Sequence, residues 1–293
     1  MEAALFWSTI PNIVFNAVLC FTALTLNGAT IYALRKTPSV PKPLKALLLS
    51  LAVSDLGVGI LVHPLFIIRL ALESRLQADL FTSFPTFGMV YAFVTCQFAC
   101  TSFFGVLSLS LDRFLAIHLH LRYQELVTYQ RVVTAVISVW VLGGLIPLIW
   151  LIRLQIAYVL FAIILVSCFV VSGVLNSMIY ATVRRHAHQI HSLQVQPTIQ
   201  ENAPNVTNAS TLRNSTFMTI HVYVLFLVCY LPCLAEWFIS LHSDLAILKA
   251  VYQYTITLLF LNSSLNPLIY CWKLRGVRQT IMNTLLNAIS SQN

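Results

Sequence analysis

Apolar residues fill seven long stretches of this chain, and polar residues gather between them. Taken as helices, the stretches run 11–34, 44–68, 84–117, 132–152, 156–184, 214–240 and 247–271. About 20 apolar residues in a helix rising ~1.5 Å each match the ~30 Å hydrocarbon core of a bilayer. The pattern predicts an all-α fold, a seven-transmembrane helix bundle spanning 11–271 as one unit after a short outer segment, 1–10. The polar stretch 186–212 reads as the longest loop. In the closing segment, 272–293, Leu274, Val277, Ile281, Leu285 and Ile289 recur every three or four positions. That period predicts a short amphipathic helix lying on the cytoplasmic membrane surface. The first run is too long for the core of a cleavable leader and no basic residues precede it, so it reads as an uncleaved first span.

Composition strengthens this picture. Hydrophobic residues make up 58% of the chain and charged ones 9%, against about 25% charged in a soluble domain. The net charge of +8 is a matter of topology, not of a nucleic-acid surface. With the amino terminus outside, thirteen Lys and Arg fall in the inner loops and tail and four, Arg69, Arg75, Arg153 and Lys249, in the outer loops. Basic residues favour the cytoplasm, which places the carboxyl terminus inside. The sequons at Asn205, Asn208 and Asn214 then fall at or near an inner loop and read as chance matches. All seven cysteines lie inside apolar runs, so no extracellular disulfide framework is expected. Cys96/Cys100 and Cys229/Cys233 share helix faces at i,i+4 and read as small packing residues.

Ionisable groups inside a bilayer cost about 2.5–3.5 kcal/mol at its centre, so each needs a reason. Asp55 falls mid-span. Asn27, Ser102, Asn262, Ser263 and Asn266 are its candidate partners, and two readings stand: a small cation held beside the carboxylate, or a packed polar cluster around a protonated or hydrogen-bonded one. Asp112-Arg113 closes the third stretch, either as a charge that sets topology or as a local pair. Pro232 and Pro267 each interrupt a span. Beside Asn262 and Asn266 such a kink suggests a hinge.

The chain resembles the rhodopsin-like (class A) G-protein-coupled receptors over nearly its full length. The resemblance rests on Asn27, Leu51-Ala52-Val53-Ser54-Asp55, Leu111-Asp112-Arg113-Phe114, Trp140, Tyr180, Cys229-Tyr230-Leu231-Pro232 and Asn266-Pro267-Leu268-Ile269-Tyr270, in that order. It implies a G-protein switch made of Asp112, Arg113, Tyr180 and Tyr270. It implies a sodium pocket of Asp55, Ser102, Asn262, Ser263 and Asn266, and a hinge region at Phe226, Pro232 and Pro267 coupled to the ligand pocket through Phe226 and Tyr230. No other cofactor is expected. The chain departs from the family at several points. Phe114 replaces the usual tyrosine and Tyr230 the usual tryptophan. Ser172 stands where proline is common, and Gly88 where many members have a disulfide cysteine. The sequence Leu212-Arg213-Asn214 offers no acid to hold Arg113. The melanocortin and adenosine receptors are the most similar groups, but their ligand residues do not carry over: Leu65, Gly88 and Ala92 replace the acidic site of the first, and Trp237 the purine-binding asparagine of the second.

The resemblance implies a plasma-membrane receptor whose partners are an extracellular ligand, a heterotrimeric G protein and the bilayer. Thr95, 18 residues before Arg113, lies roughly 27 Å nearer the outer face. With Cys96, Ala99, Tyr230, Trp237, Tyr252 and Ile256 it is expected to line an outer pocket. Its aromatic and apolar walls suit a small molecule, a lipid or an apolar part of a peptide. Glu236 and Arg69 stand at the rim, as ligand contacts or as solvated boundary charges. The competing class is a transporter or channel using Asp55 and the proline-broken helices as an ion path, but no pair of half-helices in two repeats supports it. An enzyme has less still: no H-E-x-x-H spacing occurs, and His186, His188 and His191 fall in the polar stretch.

Overall fold

The computed structural model describes residues 2–76, 83–119, 122–151, 154–193, 203–240 and 247–290. Eight long helices make up the described chain: α1 (Glu2–Lys36), α2 (Lys42–Leu76), α3 (Pro85–His118), α4 (Tyr129–Leu145), α5 (Leu154–Leu193), α6 (Ala203–Ser240), α7 (Ile247–Lys273) and α8 (Arg275–Ser290). A single turn, Tyr123–Leu126, links α3 to α4, and α4 tightens into a 3-10 segment at Ile146–Leu151. Parts of α1 to α6 are long and apolar enough to cross a membrane. At 27 residues α7 is also long enough. Its polar run Asn262-Ser263-Ser264 and Asn266 dilutes its hydropathy.

Two boundaries depart from the hydrophobic pattern. The segment 1–10 does not precede the first helix but joins it, since α1 starts at Glu2. The stretch 186–212 is not one long loop. Helix α5 runs to Leu193 and α6 begins at Ala203, so both helices outrun the membrane. Hydropathy reports where lipid ends, not where a helix ends. No glycine or proline interrupts 184–193, and Pro204 falls in the first turn of α6, where its missing N–H costs nothing. The side chains of His186, His188 and His191, and the outer loop at Arg153, lie outside the described residues.

Helix α3 occupies the middle of the bundle, packed on α2, α4, α5 and α6, while α7 closes the ring against α1, α2 and α6. An inner apolar core gathers around Leu44, Leu48, Phe103, Met218, Phe226 and Tyr270, and an outer one around Val62, Phe66, Tyr91, Ile256 and Phe260. Between them α2 widens into a π turn, Val58–Val62, where the His63 N–H reaches back five residues to Val58 O. Pro64 lacks an N–H and crowds the preceding turn, and an extra residue in the turn relieves it. The Cys20 thiol donates to Gly59 O at 3.2 Å, so α1 satisfies a carbonyl of the widened turn. Leu274, just before α8, and Val277 within it are buried, and Thr280 of α8 pairs with Thr37 of α1 at 2.9 Å. Met282 and Leu286 stay exposed.

Small residues let α4 approach the centre. A Cβ on Gly143 would meet Thr101 Oγ1 at 2.8 Å and Gln97 O at 3.3 Å. The Trp140 indole donates to Ser50 Oγ at 3.0 Å, which ties α4 to α2 as well. Gly143→Val should therefore push α4 off α3 and lower stability by about 1–3 kcal/mol, the usual cost of overpacking. Thermal unfolding of the purified protein checks this; an unchanged midpoint would contradict the packing.

Candidate functional site

The end of the bundle bearing Arg113 is called inner here, after the distribution of Lys and Arg. Arg113, near the end of α3, is buried at 2% exposure. Its Nε donates to Asp112 Oδ2 at 2.9 Å, and its Nη2 bonds the same oxygen. The other Asp112 oxygen accepts from the Tyr123 hydroxyl at 2.7 Å. Burial first, and the neighbouring carboxylate second, push the Tyr123 phenol well above its ordinary range, so it remains a donor. The third guanidinium bond crosses to α6: Arg113 Nη1 donates to Ser215 Oγ at 2.9 Å. Helix α6 thus holds Arg113 through a hydroxyl where an acid was sought and not found. Ser215 follows Asn214 directly, but a lone serine carries no signal in the sequence. Of the other switch residues, Tyr270 is fully buried and its hydroxyl has no partner. Tyr180 is 52% exposed on α5 and is not brought to Arg113.

Deeper in the bundle, Asn266 Nδ2 donates to Asp55 Oδ2 at 2.9 Å, and Ser263 also neighbours the carboxylate. Ser102 bonds Ser54, the residue before Asp55, at 2.8 Å. Asn27 Nδ2 donates to Ser263 O at 2.9 Å, tying α1 to the same spot on α7. The oxygens Asn27 Oδ1, Asp55 Oδ1, Asn262 Oδ1 and Asn266 Oδ1 are all buried without a hydrogen-bond partner. A cluster rich in unmatched acceptors calls for a positive charge or for water. Sodium prefers oxygen ligands, so this donor set fits it.

Above this cluster four rings lock α3, α5 and α6 together. Phe103 meets Phe226 at 4.9 Å, Tyr230 at 4.5 Å and Phe169 at 5.0 Å between ring centres, and Phe226 stacks on Tyr230 at 4.4 Å. Pro232, which removes one backbone bond from α6, follows two residues later beside the ring cluster. Phe103 and Phe169 belong to apolar runs with many phenylalanines, and the sequence does not single them out.

The outer-pocket residues divide. Tyr230 belongs to the ring cluster, and Ile256 packs in the outer core with Tyr252 against it. Cys96, whose thiol lies 3.9 Å from that of Cys100, and Ala99 are buried on α3. Trp237 is half-buried. The Thr95 hydroxyl is buried without a partner. All seven cysteines are free thiols. A surface hollow of about 510 Å³ lies between α2 and α4, lined by Val53, Val136, Ile137, Trp140 and Val141, apart from these residues.

A polar ladder between α1, α2 and α7 carries no family motif, and sequence reasoning missed it. Asn16 Nδ2 reaches Asn12 Oδ1 at 2.8 Å and Thr257 Oγ1 at 2.9 Å. Thr257 Oγ1 lies 2.6 Å from Asn12 Oδ1, and Asn12 Nδ2 donates to Gln253 O at 3.2 Å. His63 Nδ1 pairs with Asn16 Oδ1 at 3.1 Å. The available signal was the spacing itself, since Thr9, Asn12 and Asn16 share one helix face of an apolar run.

The family model "7 transmembrane receptor (rhodopsin family)" matches residues 26–159, the part that carries Asn27, Asp55, Ser102 and Asp112-Arg113. Adenosine receptor A3 of Ovis aries is 24% identical over an alignment that covers 99% of this chain and 94% of that receptor. The two likenesses support a rhodopsin-like receptor related to the adenosine receptors, a class that signals through G proteins. Nothing in the fold or the relatives favours a transporter.

The ladder generates a test. Asn16→Leu takes from His63 Nδ1 its partner and from Asn12 and Thr257 one bond each, and should cost about 1–3 kcal/mol. Unfolding midpoints of the wild type and variant measure it. A variant as stable as the wild type would show that the ladder holds nothing together.

Proposed function

We propose that this receptor passes the binding of an extracellular ligand to a heterotrimeric G protein by releasing α6 from Arg113. The observation that carries the reading is the bond from Arg113 Nη1 to Ser215 Oγ. It ties the inner end of α3 to α6 in the resting packing. A guanidinium–hydroxyl bond is charge-assisted on one side only, and is weaker than a bidentate ion pair to a carboxylate. The resting state is therefore lightly latched, and ligand binding needs little differential affinity to shift it. Tyr270, whose buried hydroxyl has no partner, and Tyr180, now on the outer surface of α5, supply partners for Arg113 once α6 moves. Phe226, Tyr230 and Pro232 couple the outer half of α6 to that motion, and Pro267 does so on α7. The amino terminus lies outside and the carboxyl terminus in the cytoplasm, in keeping with the Lys and Arg distribution.

The latch makes an ordered prediction. A loss of about 1.4 kcal/mol changes the active-to-resting ratio tenfold. Ser215→Ala should raise nucleotide exchange without ligand severalfold, and Ser215→Glu should lower it below the wild type. Exchange on purified G protein in vesicles, normalised to receptor amount, reads both. Equal exchange in all three would remove Ser215 from the mechanism.

Sodium would be held by Asp55 with Ser102, Asn262, Ser263 and Asn266, and would supply the positive charge that the unmatched oxygens call for. The ion would favour the packing in which Asn266 stays bonded to Asp55. Wild-type receptor should then melt several degrees higher in sodium than in N-methylglucamine, and Asp55→Asn should abolish the difference. A wild type equally stable in the two salts would rule out the site.

A further inference from the structure

The outer half of the bundle concentrates hydrogen-bond donors around one buried cation. Arg69 on α2 is 8% exposed and lies between α3 and α7. Its guanidinium carbon sits 5.1 Å from the centre of the Tyr91 ring and 5.2 Å from that of Tyr252. Its Nη1 donates to the Tyr252 hydroxyl at 3.2 Å, and its Nε to Glu73, one turn on along the same helix, at 2.9 Å. The Tyr91 hydroxyl lies buried beside Arg69 and Thr95, and neither it nor the Thr95 hydroxyl, one turn deeper on the same face of α3, meets a partner at hydrogen-bond geometry. Beneath them the walls are apolar: Phe66 stacks along Tyr91 and meets Phe260 edge-on at 5.4 Å.

We propose that Arg69, Tyr91 and Thr95 bind the oxyanion head group of a ligand whose body is apolar. The inference rests on the reading that this end of the bundle receives the ligand, and it names the ligand's chemistry. A guanidinium accepts no hydrogen bond, so the centre of the cluster can only donate. Two buried hydroxyls left without partners on a scaffold of rigid helices cost free energy that an acceptor would return. A carboxylate or phosphate answers all three groups at once, whereas a cationic head group would be repelled by Arg69. Glu73 holds the guanidinium in the free receptor. Its bond is a single contact to one guanidinium nitrogen, not a bidentate pair, so an incoming oxyanion replaces it by exchanging one anionic oxygen for another. Glu236, the buried acid on α6, does not share this site, because α7 stands between α6 and α2.

The test uses the full-length receptor in neutral phosphatidylcholine nanodiscs, with thermal unfolding as the readout. No G protein is present, so failure here leaves the signalling reading intact and failure of signalling leaves this result intact. The probes are 4-phenylbutyrate, its uncharged methyl ester and 4-phenylbutyl phosphate, and the two anions distinguish the head groups. One or both anions should raise the melting temperature saturably, and the ester should not. Arg69→Gln should weaken the response at least about tenfold, the loss expected for a buried charge-assisted bond. Tyr91→Phe removes a hydroxyl that meets no partner at hydrogen-bond geometry in the free receptor, so it should not lower the melting temperature without ligand, yet it should weaken the anion response severalfold. Tyr91→Phe carries the test if Arg69→Gln fails to fold. An ester as effective as the acids overturns the proposal, as does no response to either anion or a response unchanged in both variants.

Discussion

Water is absent from the interior of a bilayer, so each polar side chain there must find its partner within the bundle. That constraint decides which helices meet. Helix α7 is rich in polar residues and heavily bonded to its neighbours. Gln253 and Thr257 engage Asn12 and Asn16 of α1; Ser264 donates to Leu19 O at 3.2 Å; Ser263 accepts from Asn27; Asn266 donates to Asp55 of α2. Apolar faces alone would not choose these neighbours, because lipid tails satisfy leucine as well as another helix does. The polar rungs fix the register of α1 against α7. They also leave α7 firmly held along its outer half, with Pro267 directly after the last rung.

Below that rung the attachment changes character. Tyr270 is buried with an unpartnered hydroxyl, and Arg113 is held to α6 by one serine. The attachment is light where the proposed rearrangement takes place. The same contrast runs along α3. Its outer half carries the unpartnered hydroxyls of Tyr91 and Thr95, its middle is clamped by the ring cluster at Phe103, and its inner end carries the arginine. A ligand that pairs the outer hydroxyls acts on the helix whose other end bears the latch, and the rings between them join α3 to the proline-bearing α6.

Much of this was legible in the sequence. The spans follow from apolar length, and Asp55 with Asn266 and Arg113 with Asp112 were named before any contact was known, because ionisable groups in lipid are few and conspicuous. Neutral polar residues were harder. Ser215, Asn12, Asn16 and His63 become meaningful only when a neighbouring helix shows what faces them, and a lone serine or asparagine in an apolar run announces nothing. The ends of α5 and α6 were misplaced for a different reason: the polar stretch is helical on both sides, and polarity in 186–212 marks departure from lipid, not from helix. The orientation of Tyr180 escaped because a motif fixes a residue's helix and depth but not the face it presents in the resting packing.

The central claim is that α6 parts from α3 at the inner face when Arg113 is released. A distance distribution between spin labels tests it directly. Labels at Lys42→Cys, at the start of α2, and Arg213→Cys, at the start of the apolar part of α6, occupy exposed positions, and pulsed electron resonance on the protein in nanodiscs reads their separation. The account predicts a main short distance with a minor longer one, the longer one growing when a nucleotide-free G protein is added. A single distance that the G protein leaves unchanged would contradict it.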